Sequence, residues 1–285
     1  MSARRKAYVA GQFYPETESE CRRELEAYTK ARIDEYEGTP VAGIVPHAGW
    51  VFSGATAGKV FSFFKQFATP KTFILFGAVH RYMSDSPAVM ADGAWETPLG
   101  DVEIDASMAS ELLGACAGLT SNARAHDGEH SIEVQVPFIK FLFPEAKIVP
   151  ILAPPTGDAA ALGDAVGRAI AGRDDVIAIG STDLTHYGFE YGFAPKGAGE
   201  EALKWAREVN DRRMIDIAIE MKAEEAVPVA QTHHNACGSG AVAAATAVAH
   251  AKGKKKGILL DYTTSYDVMP RGRPSMFVGY AGIVF

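Results

Sequence analysis

Residues 43–54 read GIVPHAGWVFSG. With Val41 and Ala42 in front, the stretch is an apolar run, VAGIVP, that stops at Pro46 and then presents His47 beside Gly49 and Trp50. A short apolar run closed by Pro and Gly reads as a buried strand, and a helical pattern continues from Ala55 to Phe67. An imidazole delivered where a strand gives way to a helix stands at the kind of junction where open α/β sheets build their ligand sites.

The same unit recurs along the chain. Thr72–Gly77 (TFILFG), KIVPILA from Lys147 and VIAIG from Val176 to Gly180 all read as buried strands. Between them lie helical patterns at Ser107–Ala117, Ile132–Phe143 and Asp158–Ala171, with Pro137 marking a first turn or a kink in the second. A long polar helix is expected over Gly199–Met221 and a buried Ala/Val-rich one over Gly240–His250. PAVMA and VEI, on either side of Trp95, read as a hairpin or edge strands, and GILLDYTTSY and SMFVGYAGIVF close the chain as strands. This alternation predicts an α/β fold, a single three-layer α/β/α domain over residues 1–285 with a mixed, mostly parallel sheet.

Composition narrows the function classes. The 285 residues are 47% hydrophobic and 22% charged, with a formal net charge of −7. That is ordinary globular composition, and the negative balance argues against a broad nucleic-acid-binding surface. Lys252, Lys254, Lys255 and Lys256 read as a solvated loop between a helix and a strand. Cys21, Cys116 and Cys237 are too few and too far apart for a disulfide framework, which fits a reducing compartment. No stretch has the ~18 apolar residues of a membrane span or the apolar core of a signal peptide, so a cytoplasmic, membrane-free protein is expected.

The residues just past the strands form a consistent set. VAGIVP leads to His47, TFILFGAV to His80, and VIAIGST to Asp183 with His186 three residues on. One such residue is explained by capping or packing. Three converging on one sheet edge are what a metal site or an acid–base site requires. HDGEHSIE (His126–Glu133) sets His130 and Glu133 at helical spacing, but Gly128 interrupts the segment and the zinc-protease pattern is absent. It reads as a loop and helix start, with Glu129 and Ser131 near the cap, and whether His130 and Glu133 reach the rim stays open. HHNACGSGAVAAA (His233–Ala245) places Cys237 just before a helix, where the positive end of the helix dipole favours a thiolate as ligand or nucleophile. Cys21 and Cys116 read as packed thiols. Neither a phosphate-loop fingerprint nor a G-x-S-x-G elbow is present.

The ordered set AGQFYP (Ala10–Pro15), PHAGW (Pro46–Trp50), FGAVH (Phe76–His80), EHSIEVQVPF (Glu129–Phe138), STDLTHYG (Ser181–Gly188) and HNACG (His234–Gly238) resembles the Memo family over nearly the whole chain. That family is similar in fold to the class III extradiol dioxygenases, which are non-haem iron enzymes. The resemblance implies a metal pocket at the strand ends with His47, His80 and Cys237 as ligands, and with Asp183, His186 and His130 lining it. Two positions depart from the family pattern: Arg81 stands where many members carry a second His, and Trp50 where Tyr often comes after PHAG. Microbial members are often encoded beside radical-SAM and AMMECR-like proteins, which implies a functional link to such partners.

Two imidazoles and a monoanionic thiolate favour Fe(II), Cu or Zn over Mg or Ca, and the resemblance to non-haem iron enzymes implies Fe(II) first. The leading expectation is a metal-dependent, dioxygenase-like oxidoreductase of unassigned substrate, in which His186 moves protons, oriented or kept charged by Asp183, with His130 at hand. A second is a non-enzymatic module that takes a phosphotyrosine-type peptide or a small anion in the same pocket. A third is a metal-free cysteine hydrolase or transferase with Cys237 as nucleophile.

Overall fold

The computed structural model describes residues 3–81 and 84–285. A mixed sheet of nine strands organises the described residues: β1 Ala42–Val45, β2 Thr72–Gly77, β3 Ala88–Val89, β4 Thr120–Ser121, β5 Lys147–Leu152, β6 Val176–Ser181, β7 His186–Tyr187, β8 Ile258–Thr264 and β9 Phe277–Val284. Their spatial order is β7-β9-β1-β6-β2-β5-β3-β4, with β8 paired to β9. The central four are parallel, whereas β9 runs antiparallel to β1 and β3 antiparallel to β5.

Alternating residues of the central strands feed two separate cores. Phe73 and Leu75 point to a layer formed by α1 (Glu18–Tyr28), α2 (Trp50–Phe67) and α4 (Val136–Leu142). Ile74 and Phe76 point to the opposite layer, which holds α3 (Ala106–Ala115), α5 (Ala159–Ala169), α7 (Asp211–Ile219), α8 (Ala226–His233) and α9 (Ser239–Ala251). Two-sided burial is why these strands read as unbroken apolar runs rather than alternating ones. Each Leu, Ile or Phe so buried contributes about 1.5–3 kcal/mol. The three layers of the α/β/α expectation are therefore present.

Several local readings are corrected. Helix α2 begins at Trp50, five residues ahead of the expected start. PAVMA and VEI form no hairpin together: Ala88–Val89 joins the edge of the main sheet, while Val102–Glu103 pairs with Ala94–Trp95, itself beside Arg4–Arg5 in a separate three-stranded sheet. Of the two roles expected for Pro137 the first is observed: it lies in the first turn of α4, where its missing N–H leaves no bond unmade. The long helix is interrupted: α6 (Glu200–Trp205) passes through a π-turn at Ala206–Asn210 before α7 begins. Within the lysine stretch, Lys252 is not free in solvent. Its Nζ donates to the carbonyls of Ile170 and Arg173 just past α5, where a cation meets the negative end of the helix dipole.

Register sets up the site. Val45 pairs with Ser181 and Phe76 with Gly180, so β1, β6 and β2 end level with one another. Two or three residues past those level ends stand His47, Asp183 and His80.

Candidate metal centre

Four loops meet above the level strand ends, and α9 closes the group from one side. Gly238, at its start, lies so close to β6 that a Cβ there would come within 2.3 Å of the Ser181 carbonyl oxygen. Only glycine allows that approach, and it carries the preceding Cys237 onto the strand end.

Two sets of three donors converge, with the ligand atoms in each within 4.8 Å of one another: His47, His80 and His130 in one, and His47, Asp183 and Cys237 in the other. His47 belongs to both, and the expected trio of His47, His80 and Cys237 straddles them. The three imidazoles are packed together, with the His80 and His130 rings stacked at 4.6 Å and His47 edge-on to them at 5.2 and 5.3 Å.

Each ring is held by a named partner. Ser181 Oγ donates to the Ser131 carbonyl at 2.7 Å, so its lone pairs are left for Gln135 Nε2 at 3.2 Å and for His47 Nδ1 at 3.1 Å. His47 Nδ1 is thereby the protonated nitrogen, and the bare Nε2 faces Cys237 Sγ at 3.1 Å. Burial, reinforced by the neighbouring imidazoles, keeps the His47 pKa well below 6.5. A neutral ring with a free lone pair is the form that binds a metal.

His80 is fixed differently. Its backbone N–H donates to one oxygen of Glu129 at 2.8 Å and its Nδ1 lies 2.9 Å from the other. Burial opposes the Glu129 charge, yet hydrogen bonds from His80 and Ser131 hold that carboxyl far below the usual carboxylate range. Burial likewise opposes a charge on His80, but hydrogen bonds to Cys237 and Glu129 raise it to about 10. Burial pushes the Cys237 thiol up, against the lowering influence of His80. The two shifts compete, since a neutral thiol cannot support the His80 charge as a thiolate would. Glu129 is then the group that holds His80 protonated. Next to it, burial and the His80 charge press His130 down to about 4.

Asp183 does not hydrogen-bond His186, contrary to the expected pairing. Its Oδ1 accepts the backbone N–H groups of His47 at 2.7 Å and Ala48 at 3.2 Å, so this carboxyl shapes the turn that presents His47. Burial raises its pKa, opposed by the field His186 exerts when it is protonated and by those N–H bonds. His186 is oriented instead by the Leu184 carbonyl, 3.1 Å from Nδ1. A carbonyl only accepts, so Nδ1 carries the proton and Nε2 is left to take one up.

Other expected residues fall outside the cup. Glu133 turns away from it: Oε2 pairs with Arg5 at 2.7 Å, while Oε1 accepts from Val9 N–H and Tyr14 OH. That buried pair braces the loop carrying Glu129 and His130, because Arg5 also donates to the Glu129 and His126 carbonyls. Trp50 is not a pocket wall. Its indole N–H donates to the Val134 carbonyl at 3.0 Å and its rings pack on Tyr14 and Phe138, so this position offers no polar group to the cup. His126 is buried against Trp95, and His233 is half-buried beside Arg213. Arg81 is exposed beside the Gly128 turn.

The sequence reading missed two features. One is Glu129 as the partner of His80; an acid directly before His130 was the available signal, but it was read as a helix cap. The other lies beneath the cup. Asp211 accepts the Thr185 N–H at 2.9 Å and the Tyr262 OH at 2.7 Å. Asn210 donates from Nδ2 to Thr185 Oγ1 and to the His233 carbonyl, and its own carbonyl accepts from Asn235. The π-turn ends at Asn210, and both it and Asp211 are fully buried. One two-residue step thus staples the segment of Asp183 and His186 to the turn before Cys237.

Beside the cup, His186 and Tyr191 line two hollows of about 320 and 340 Å³, the first reaching Cys237 and the second reaching Asp183 and His130.

The family model described as "Memo-like protein" matches residues 5–284. A MEMO1 family protein of Pyrococcus abyssi is 38% identical over 97% of this chain and 97% of its own length. One from Pyrococcus horikoshii is 34% identical over 99% of both. Among solved structures, an uncharacterized protein from Escherichia coli K12 matches 87% of this chain and 100% of its own, at 11% identity and a TM-score of 0.47, and no conclusion rests on it. No helix among the described residues is long and apolar enough to cross a membrane.

Proposed function

The chain belongs to the Memo-like protein family, and from that premise we propose that the strand-end cup binds a transition metal, Fe(II) first and Cu or Zn second, and that with iron or copper it serves an oxidoreductase reaction. The observation that carries the reading is the convergence of two donor sets on His47. His47, His80 and Cys237 would hold the ion, with His130 and Asp183 as neighbouring donors. The donor set fits such an ion: the imidazoles are aimed by Ser181 and Glu129, and a soft thiolate selects Fe(II), Cu or Zn over Mg or Ca. A bound iron or copper supplies electron transfer and Lewis acidity.

The chain's own groups supply the rest. His186 offers Nε2 as a proton acceptor at the edge of the cup, and the Leu184 carbonyl fixes the ring that does so. Asp183 fixes the His47 turn. Oxidation of the Cys237 thiolate is the built-in liability of such a centre.

The cysteine-nucleophile reading has the close His47–Cys237 contact in its favour and the ionisation state against it. Burial favours the neutral thiol and the neutral imidazole, whereas a nucleophilic pair needs thiolate beside imidazolium.

The test is anaerobic titration of chelator-stripped protein with Fe(II), Cu(I) and Zn(II), then exposure of each loaded form to O₂ or peroxide. One tightly held equivalent and consumption of the oxidant support the reading. Absence of both metal binding and oxidant consumption overturns it.

A further inference from the structure

The hollow beside Asp183 and His186 does not end there. It shares Phe52, Ser265 and Met276 with a further hollow of about 280 Å³, whose outer wall carries Arg271 and Arg273. A continuous cleft therefore runs from Cys237, past His186 and Tyr191, over Phe52 and Met276, to two guanidinium groups. Among the described residues, Arg271 Nη2 donates only to the thioether of Met269, and Arg273 Nη2 only to the Ala198 carbonyl. Among the described residues neither arginine has a carboxylate within ion-pair distance, whereas Arg207, beside the same segment, is paired with Asp267. Each guanidinium presents five N–H donors, so both keep most of theirs for a ligand.

In a chain of net charge −7, two adjacent unpaired arginines at a cleft mouth form a local positive field against the protein's general one. The planar guanidinium fork matches carboxylate and phosphate oxygens bidentately. Between the arginines and the cup the walls are mainly apolar or aromatic, with Phe13, Phe52, Met276 and Tyr280 beside the polar Ser265. Phe52, Met276 and the flanking Tyr191 are not sealed into the core, and Met276 and Tyr191 are 47% and 46% exposed, a level of apolar exposure that marks a surface kept for contact.

We propose that this cleft binds an organic anion lengthwise, with a carboxylate or phosphate head on Arg271 and Arg273, an apolar body against Phe52 and Met276, and the far end directed at the His/Cys cup. The direction assigned to the far end rests on the reading of that cup as the reaction centre, whereas the anion seat stands on the arginines alone.

Three probes sharing one apolar body test it: 4-phenylbutyrate, 4-phenylbutyl phosphate and 4-phenylbutanol, titrated calorimetrically into wild type and an Arg271→Gln, Arg273→Gln double variant. Each protein is used chelator-stripped and metal-loaded, with metal stoichiometry measured in the same samples. The anions should bind wild type at least ~10-fold tighter than the alcohol, a preference that weakens as salt rises. The double variant should lose the preference and keep wild-type metal stoichiometry and circular dichroism. Whichever anion binds tighter identifies the head group. Equal binding of all three probes, no binding at millimolar concentration, a salt-independent preference in wild type, or a preference that survives the double substitution overturns the proposal. Anion preference in a protein that takes up no metal upholds the cleft and sinks only the metal reading.

Discussion

His47 Nε2 lies 3.1 Å from Cys237 Sγ, a contact that joins residues 190 apart in the chain. The lone pair that faces the sulfur is left bare because the ring proton sits on Nδ1, which donates to Ser181 Oγ. The contact exists because β1 and β6 end level and because Gly238 lets α9 close onto β6.

Metal uptake is expected to release protons. Glu129 holds His80 protonated and burial keeps the proton on the Cys237 thiol, so both carry one at neutral pH in the metal-free protein. Ligation requires both to be deprotonated, so apparent affinity should rise about 10-fold per pH unit for each proton displaced. Chelator competition across a pH series from about 6 to 8 measures this slope. A pH-independent affinity would remove both groups from the ligand set.

Glu129→Gln keeps the shape of the His80 partner and removes its charge. His80 should lose its raised pKa and its fixed orientation, and metal affinity should fall about 10–100-fold, the usual cost of losing a carboxylate that supports a ligating histidine. Titration of the variant, with the His80 ring monitored by NMR, checks both effects together.

The Arg5–Glu133 pair is buried on both sides, at 2% and 1% exposure. Glu133→Ala strands the guanidinium and should cost about 3–5 kcal/mol, measured by denaturant unfolding. Arg5→Met combined with Glu133→Leu should recover most of that loss, since breaking a buried pair costs more than replacing it. Recovery of stability without recovery of metal affinity would separate the brace on the Glu129–His130 loop from bulk stability.

Two buried groups should pull the pH dependence of stability in opposite directions. Burial raises Asp211 to about 6, against roughly 3.9 in an unfolded chain, so the folded state holds its proton more tightly and loses stability as pH rises through that window. Burial and the Arg5 charge lower His126 to about 3, against roughly 6.5 unfolded, so the fold loses stability as pH falls through that window. Each effect is of the order of a few kcal/mol. Asp211→Asn should steepen the acid-side loss, and His126→Leu should flatten it. His126→Leu should also stabilise the protein at neutral pH, because neither ring nitrogen has a hydrogen-bond partner among the described residues; the Ala88 backbone approaches only outside bonding geometry. Thermal melts across pH 4–7 compare the three proteins.

How legible this was in the sequence differs by element. The central strands were legible because burial on both faces leaves runs such as TFILFG with no polar residue beyond the leading Thr72. The recurrence of His and Asp after those strands exposed the rim, since backbone register alone brings level strand ends together. What stayed hidden depended on side-chain direction. Glu129 and Glu133 are four residues apart in one motif, yet one orients His80 and the other pairs with Arg5, 128 residues away. Trp50 comes only three residues after His47, yet as the first residue of α2 it turns onto α4 rather than into the cup. The π-turn before Asp211 left no pattern, since it inserts one residue into an otherwise helical run.

The most direct measurement is elemental analysis of protein purified anaerobically without an affinity tag, beside a His47→Ala, Cys237→Ser double variant checked for folding by circular dichroism. The account predicts near-stoichiometric iron, copper or zinc in the wild type and none in the folded variant. A wild type that carries no metal and takes up none when offered Fe(II), Cu(I) or Zn(II) would contradict it.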